Sequence, residues 1–352
     1  MIVYNQGGWN VLGDAFRDNA SPCADYYLSL PSIAGDHTRP RGDGQAAITR
    51  GLGPRFHAMA EFHYQGWSAV TGMSWYDKGV EFRRRMDAAG YDLAAGDTWA
   101  INELPSSARG EAAVRRNVRD LLRGLFTGPA GARAARGAVF IIGMGHRTMG
   151  FSVYKPELRE WLTDADFWAD ASRYARWWAQ EVYASPENTC VGSASIGERA
   201  VQLNAYTMHV PRYASAAGAP AGTGAARSYL ARAYVPLMNA VWQNAVYRTE
   251  ALTLDQMQHF VSLQAYAARA WASSHEYPDG RVGFAWDHAL GSGPAAERAL
   301  ADRLASALRY AYDADGGSAS RACSPSGAFT WCGCAVPGAA FNTLWESFDR
   351  WP

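Results

Sequence analysis

The first half of the chain alternates short apolar segments with longer polar ones, and this order constrains the fold more than any other feature. The segments that read as strands are 2–4, 25–31, 56–63, 98–102 and 138–142. Between them, apolar residues recur at helical spacing in 76–86 and 112–126. A repeating strand–helix order is typical of parallel strands in an α/β fold. Units of roughly 30–45 residues favour a barrel over a small doubly wound sheet.

The second half is richer in long aromatic and apolar segments, which predict helices. These segments are 164–183, 197–208, 228–247, 254–273 and 297–312. The run 281–286 predicts a closing strand, and strands six and seven have no clear position. The predicted fold class is therefore α/β: a (β/α)8 TIM-type barrel, regular or irregular, with an enlarged helical second half. We expect one domain over 1–352, with a Cys-rich tail at 317–352.

Charge and hydropathy narrow the range of partners. The formal net charge is +0 and the pI is about 7.1, which argues against nucleic acid and anionic membranes as partners. No apolar run reaches the ~18 residues of a membrane span. The 14 Trp and 18 Tyr suit either a core or a surface that stacks on sugar rings.

The cysteines predict the compartment. Three of the five, Cys323, Cys332 and Cys334, lie close together near the end of the chain. The Cys332–Cys334 spacing is too short for a zinc site and no His lies nearby, so we expect disulfides and no metal or other cofactor. This predicts a secreted or extracytoplasmic protein whose leader is absent from the given sequence.

The segment 97–105 carries the strongest functional signal. Its apolar run ends in Asn102 and Glu103, and a carboxylate directly after a buried strand is costly unless it is paired or used. The alternative is a structural role, in which Glu103 caps the next helix or pairs with an Arg. In a barrel, the carboxyl ends of the strands meet at the rim where catalysis occurs. The other groups predicted at this rim are Asp36, His37, Glu61, His63, His146, Asp287 and His288, with Trp9, Trp67, Trp99 and Trp286 beside them.

Carboxylates, neutral hydrogen-bonding groups and aromatic rings together predict a sugar site. Glycoside hydrolysis uses two carboxyl groups on either side of the scissile bond. We expect Glu103 to be the proton donor, with Asn102 and His63 holding sugar hydroxyls. Asp36, His146 and Asp287 are further candidates for substrate binding, as are the four tryptophans.

Three short motifs resemble those of clan A glycoside hydrolases. Trp99-Ala-Ile-Asn-Glu103 resembles the strand-four signature in which Asn-Glu presents the acid/base. Phe62-His63 with Trp67 is similar to the strand-three His and aromatic of that clan, and Phe284-Ala-Trp286 is similar to the strand-eight Trp beneath the sugar. The resemblance covers 1–150 and the closing strand. It implies a barrel that hydrolyses O-glycosyl bonds in a poly- or oligosaccharide, with a nucleophile after strand seven; Glu276 is the nearest counterpart.

Several alternatives stay open at this point. The second carboxylate is Glu61 by its predicted rim position or Glu276 by resemblance. A barrel that only binds glycan would lack a second carboxylate within about 10 Å of Glu103. A metal-dependent hydrolase or deacetylase would use Asp36, His37, Glu61 and His63. The sequence does not determine the oligomeric state.

Overall fold

The structure is a computed structural model that describes residues 2–5, 9–19, 25–42, 44–104, 111–127, 139–143, 156–181, 219, 221–244, 249, 252–258, 260–261, 264, 283–287 and 294–313. Its strands are β1 (Ile2–Asn5), β2 (Tyr26–Leu30), β3 (Phe56–His63), β4 (Thr98–Leu104), β5 (Val139–Gly143), β6 (Ala175–Glu181), β7 (Tyr234–Val241) and β8 (Gly283–Asp287). Its helices are α1 (Trp9–Asn19), α2 (Gln45–Gly51), α3 (Tyr64–Ser68), α4 (Trp75–Ala88), α5 (Glu111–Thr127), α6 (Pro156–Thr163), α7 (Ala165–Tyr174), α8 (Gly224–Ala233) and α9 (Pro294–Asp313).

The strands run parallel and pair in chain order, and β8 pairs back to β1. β3 and β4 match from Met59–Thr98 to His63–Asn102. β1 matches β8 from Ile2–Gly283 to Asn5–Trp286. These pairings join the eight strands into one closed sheet. The carboxyl ends of β2, β3 and β4 therefore lie side by side at one rim.

Two apolar clusters show which face is inside for β2, β3, β4, β6, β7 and β8, the strands whose side chains the structure describes. The inner cluster contains residues from strands alone: Tyr27, Met59, Ala100, Ala179, Val235, Leu237, Val241 and Ala285. The outer cluster joins the opposite strand faces to the helices and includes Phe62, Trp99 and Trp286. Because side chains alternate along a strand, Glu61 follows Met59 on the inner face, and Asn102 follows Ala100.

The predicted fold class needs correction in the second half of the chain. Helix α7 ends at Tyr174, and most of the remaining predicted helix 164–183 is strand β6. Similarly, α8 ends at Ala233 and is followed by β7, where a helix over 228–247 was predicted. The enlarged helical region is therefore wrong at these two places. All eight residues of β7 are buried, and a strand covered on both faces lacks the alternation that separates it from a buried helix.

Other sequence predictions fall partly or wholly outside the described residues. The predicted helix 197–208, the Cys-rich tail and all five cysteines lie outside them. Within the predicted helix 254–273, residues 254–258, 260–261 and 264 are helical, and the others lie outside the described set. No helix in the described part of the chain has the length and apolarity needed to cross a membrane.

Helices α4 and α5 pack backbone to backbone through two glycines. A Cβ on Gly79 would collide with the carbonyl oxygen of Leu121, and one on Gly124 would collide with that of Tyr76. Any larger residue at either position would push the helices apart. This close contact fixes α4, which runs from the carboxyl end of β3 back toward the amino end of β4.

Candidate active site

Polar side chains from β2, β3 and β4 meet at the carboxyl end of the sheet. We call this group the rim cluster; it consists of Ser32, His37, Glu61, His63 and Asn102. Ser32 follows β2, Glu61 and His63 end β3, and Asn102 lies near the end of β4. The inward alternation of β3 and β4 brings Glu61 and Asn102 together.

Glu61 is the buried centre of the rim cluster, with 4% of its surface exposed. Its Oε2 accepts hydrogen bonds from the backbone N–H of Ser32 (2.7 Å) and from the Ser32 hydroxyl (3.1 Å). Its Oε1 accepts from Nδ2 of Asn102 at 2.8 Å. Hydrogen bonds to a carboxylate are about twice as strong as neutral ones. This arrangement favours Glu61 as a group that orients Asn102 over a group that reacts.

Two histidines form the exposed side of the cluster. The rings of His37 and His63 stack with centroids 4.6 Å apart and planes at 26°. The Gly66 backbone N–H donates to Nδ1 of His63 (3.0 Å), so a neutral His63 carries its proton on Nε2. Nδ1 of His37 lies 3.2 Å from the Ser32 hydroxyl oxygen. Because the Ser32 proton is directed to Glu61, this contact requires a proton on Nδ1 of His37.

Gly66 is required by the close approach of His37. A Cβ at this position would lie 2.6 Å from the Cβ of His37 and 3.3 Å from Nδ1 of His63. His63 also caps helix α3 through the same Gly66 N–H. The stacked pair therefore depends on a glycine one turn into α3.

Glu103 lies in an irregular part of β4. The pairing of β4 with β5 shifts register between Ile101 and Leu104, and both of these residues belong to the outer cluster. Regular alternation would place residues three apart on opposite faces, so the strand contains one extra residue here. Such bulges are common beside active sites. The side chain of Glu103 lies outside the described part of the structure.

Three of the predicted sugar-stacking tryptophans are core residues. Trp67, Trp99 and Trp286 are each 0% exposed and belong to the outer cluster. Trp67 stacks on Phe62 at a centroid distance of 5.2 Å, and Trp99 packs on Phe126. Trp99 precedes the inward-facing Ala100, and Trp286 follows the inward-facing Ala285. Because side chains alternate along a strand, both tryptophans face the helices. This corrects the expectation that these three rings contact sugar.

The remaining predicted site residues fall in different places. Asp36 Oδ1 accepts hydrogen bonds from the Thr38 hydroxyl (2.7 Å) and from the Thr38 N–H (3.1 Å). These bonds lower the pKa of Asp36, with help from Arg39 and Arg85. Trp9 begins α1 and Asp287 ends β8, but their side chains lie outside the described structure. His146, Glu276 and His288 lie wholly outside the described residues.

Three ligands of the metal-dependent alternative, His37, Glu61 and His63, meet in the rim cluster, whereas Asp36 bonds Thr38. Among the described residues, no three His, Cys, Asp or Glu side chains are grouped to hold a metal ion. Both oxygens of Glu61 accept protein hydrogen bonds, and Nδ1 of His63 accepts from Gly66. The described geometry thus gives the metal-dependent alternative no support.

Sequence reasoning missed Ser32, Glu181 and Asn239. Ser32 follows Pro31 just after an apolar strand, a position comparable to that of Glu103. A serine at the end of a strand is not unusual in a sequence, so nothing marked it as a site residue. Glu181 ends β6, and Asn239 lies in β7 among buried residues. The Gln264 side chain bonds the Asn239 backbone at both its N–H (2.9 Å) and its carbonyl (2.7 Å), beyond the last β6–β7 pair.

A concave surface lies on the other side of the loop that carries His37. We call this surface the arginine groove; it has a volume of about 810 Å³ and its charged and polar lining consists of Asp36, Thr38, Arg39, Arg41, Arg84 and Arg85. Arg85 joins the loop to α4, because its Nη1 donates to the hydroxyl (2.7 Å) and carbonyl (3.1 Å) of Thr38. Its Nε donates to Glu81 at 2.8 Å.

No protein-family model, no curated protein and no solved structure matches this chain. Its function is therefore inferred from its own residues.

Proposed function

We propose that this protein is a glycoside hydrolase acting on a poly- or oligosaccharide, with Glu103 as the proton donor. The observation that supports this most is the Asn102–Glu61 hydrogen bond directly before Glu103. It fixes the orientation of an amide next to the carboxylate at the end of β4. A fixed amide beside a proton donor is suited to holding a sugar hydroxyl near the reacting carbon.

Burial assigns Glu61 a positioning role, and the second carboxylate then has to come from another strand. Among the described residues, Glu181 is the best candidate because it ends β6. It lies two residues after Ala179, which belongs to the inner cluster, so Glu181 shares the inner face of the strand. Leu104, Gly143 and Gln180 lie at one level across β4, β5 and β6. Glu103 comes one residue before Leu104 in β4, and Glu181 comes one residue after Gln180 in β6. Along the strand direction, the two glutamates therefore lie on either side of this level, each one residue from it.

This arrangement favours inversion at the anomeric carbon. Two strand spacings separate β4 from β6, which amounts to about 9–10 Å between backbones. Carboxyl groups ~6.5–9.5 Å apart leave room for a water molecule and are typical of inverting enzymes, whereas retention needs ~5–5.5 Å. In this mechanism Glu103 protonates the leaving oxygen and Glu181 takes a proton from the attacking water.

The test is hydrolysis of a broad glycan panel by the wild type, Glu103→Gln, Glu181→Gln and Glu276→Gln. Glu160→Gln is the matched control, since Glu160 is 61% exposed on α6. We expect Glu103→Gln and Glu181→Gln each to lose a factor of ~10² or more in rate. NMR of the fresh product should show the inverted anomer.

Full activity of Glu103→Gln would overturn the proposal. Loss in Glu276→Gln with a retained anomer would replace Glu181 by Glu276. Binding of glycan without turnover by the wild type would identify a glycan-binding protein instead.

A further inference from the structure

The arginine groove has a high local density of positive charge, which the net charge of the whole chain does not predict. Four arginines line it against one carboxylate, Asp36, although the formal net charge of the chain is +0. A concave surface with charges of one sign focuses the electrostatic potential and raises the local concentration of oppositely charged ligands.

The arginines occupy two opposite walls. Arg39 and Arg41 are exposed on the loop after β2, while Arg84 and Arg85 lie on α4. Arg84 donates through Nε and Nη2 to the two oxygens of Glu81, each at 2.7 Å. This fork is the geometry in which a guanidinium recognises a carboxylate. Glu81 thus partly neutralises the α4 wall, and Asp36 lies among the arginines of the loop wall.

The groove and the rim cluster share one loop. Asp36, Thr38 and Arg39 line the groove, while His37 between them stacks on His63 in the rim cluster. A chain molecule that passes the rim therefore reaches the groove by crossing a single loop. The shared loop places the groove beside the rim at which we propose that substrate binds.

We infer that the arginine groove is a substrate subsite for a glycan that carries carboxylate groups, such as a uronic-acid polymer. This inference rests on the proposed glycosidase function, whose rim it extends. The described residues of the lining include no aromatic ring, and single-stranded nucleic acid is usually held by base stacking as well as charge. An acidic glycan needs only the guanidinium groups and is the ligand that this lining fits.

The experiment measures binding of oligogalacturonate to full-length Glu103→Gln protein by calorimetry, at low and high salt. Arg39→Gln/Arg41→Gln is compared in that background with Arg173→Gln/Arg227→Gln, a matched pair of exposed arginines on α7 and α8. We expect the groove pair to weaken binding about tenfold or more, a difference of 1.4 kcal/mol. We also expect its affinity to depend less on salt, while the control pair binds like the parent.

Other ligands separate the possible failures. Equal affinity for oligogalacturonate and a neutral glucan, or no effect of the groove pair, overturns the inference. So does equal affinity for free galacturonate, which would show a simple anion site, or tighter binding of single-stranded DNA through the same arginines. The glycosidase proposal fails separately, if Glu103→Gln hydrolyses glycan at the wild-type rate.

Discussion

Nδ2 of Asn102 donates to Oε1 of Glu61 at 2.8 Å, across the boundary between β4 and β3. The bond joins a residue beside the proposed proton donor to a carboxylate that is 4% exposed. An amide held in this way keeps one orientation without help from a bound ligand. We therefore expect Glu61 to affect the proposed site through Asn102 rather than through contact with substrate.

Removing the Glu61 carboxylate should destabilise the protein. Glu61→Ala leaves the Ser32 N–H and Asn102 Nδ2 without their buried acceptor, and we expect a loss of about 2–4 kcal/mol in the free energy of unfolding. Glu61→Gln keeps the volume and should cost about 1–2 kcal/mol. Urea denaturation measures both. Glu160→Gln should stay within about 0.5 kcal/mol of the wild type; an equal result for Glu61→Gln would contradict the buried network.

Trp286 should matter for stability and not for sugar binding. Its ring is 0% exposed in the outer cluster, so Trp286→Phe leaves a gap between sheet and helices. We expect a loss of about 1–3 kcal/mol, with glycan affinity unchanged in calorimetry. His37→Ala is the comparison, because His37 is exposed at the rim and should weaken glycan binding. If Trp286→Phe weakened glycan binding tenfold without destabilising the protein, the expectation that Trp286 lies beneath the sugar, as the resemblance to clan A implies, would be right after all.

Gly66→Ala should disturb the histidine pair. The new Cβ would lie 2.6 Å from the Cβ of His37, so the loop must move, and we expect a loss of about 1–3 kcal/mol together with reduced activity. Gly51→Ala is the matched control, because nothing lies within 4 Å of a Cβ at the end of α2. Thermal unfolding and glycan hydrolysis measure the two effects. A Gly66→Ala protein as stable and active as Gly51→Ala would rule out the close contact.

Glu81 should make stability depend on acid pH. Its hydrogen bond with Arg84, aided by Arg85, lowers the pKa of Glu81 to about 2 from 4.5. A lowered carboxyl pKa stabilises the folded state above the unfolded value, and this contribution is lost as the pH falls from 4.5 toward 2. For a pair near the surface we expect about 1 kcal/mol. Urea titrations at several pH values should show less change in this window for Glu81→Gln than for the wild type; parallel curves would contradict the assignment.

The first half of the chain shows how much of the fold the sequence predicts. Strand β3 matches the predicted segment 56–63 completely, and the predicted helices 76–86 and 112–126 lie within α4 and α5. Strand β7 was predicted as a helix because both of its faces are covered. Strand β6 has an exposed Arg176, but the adjacent Trp177 and Trp178 break the alternation of apolar and polar residues that marks a half-buried strand.

The site was harder to predict than the strands. The meeting of Glu61 and Asn102 depends on the β3–β4 register, which no local pattern encodes. The tryptophans were assigned to sugar because composition does not distinguish a ring that faces helices from one that faces solvent. Trp99 and Trp286 are direct neighbours of the inward-facing Ala100 and Ala285, so their rings face outward toward the helices. This distinction can be made only when the inner face of each strand is known.

The glycine contacts between α4 and α5 have a consequence for how the arginine groove selects its ligand. With Gly79 and Gly124 already at backbone contact distance, α4 has no space to retreat from the groove. The wall that carries Arg84 and Arg85 is therefore a fixed reference surface. Any adjustment of groove width must come from residues 33–42, so we expect this loop to determine how broad a ligand the arginine groove admits.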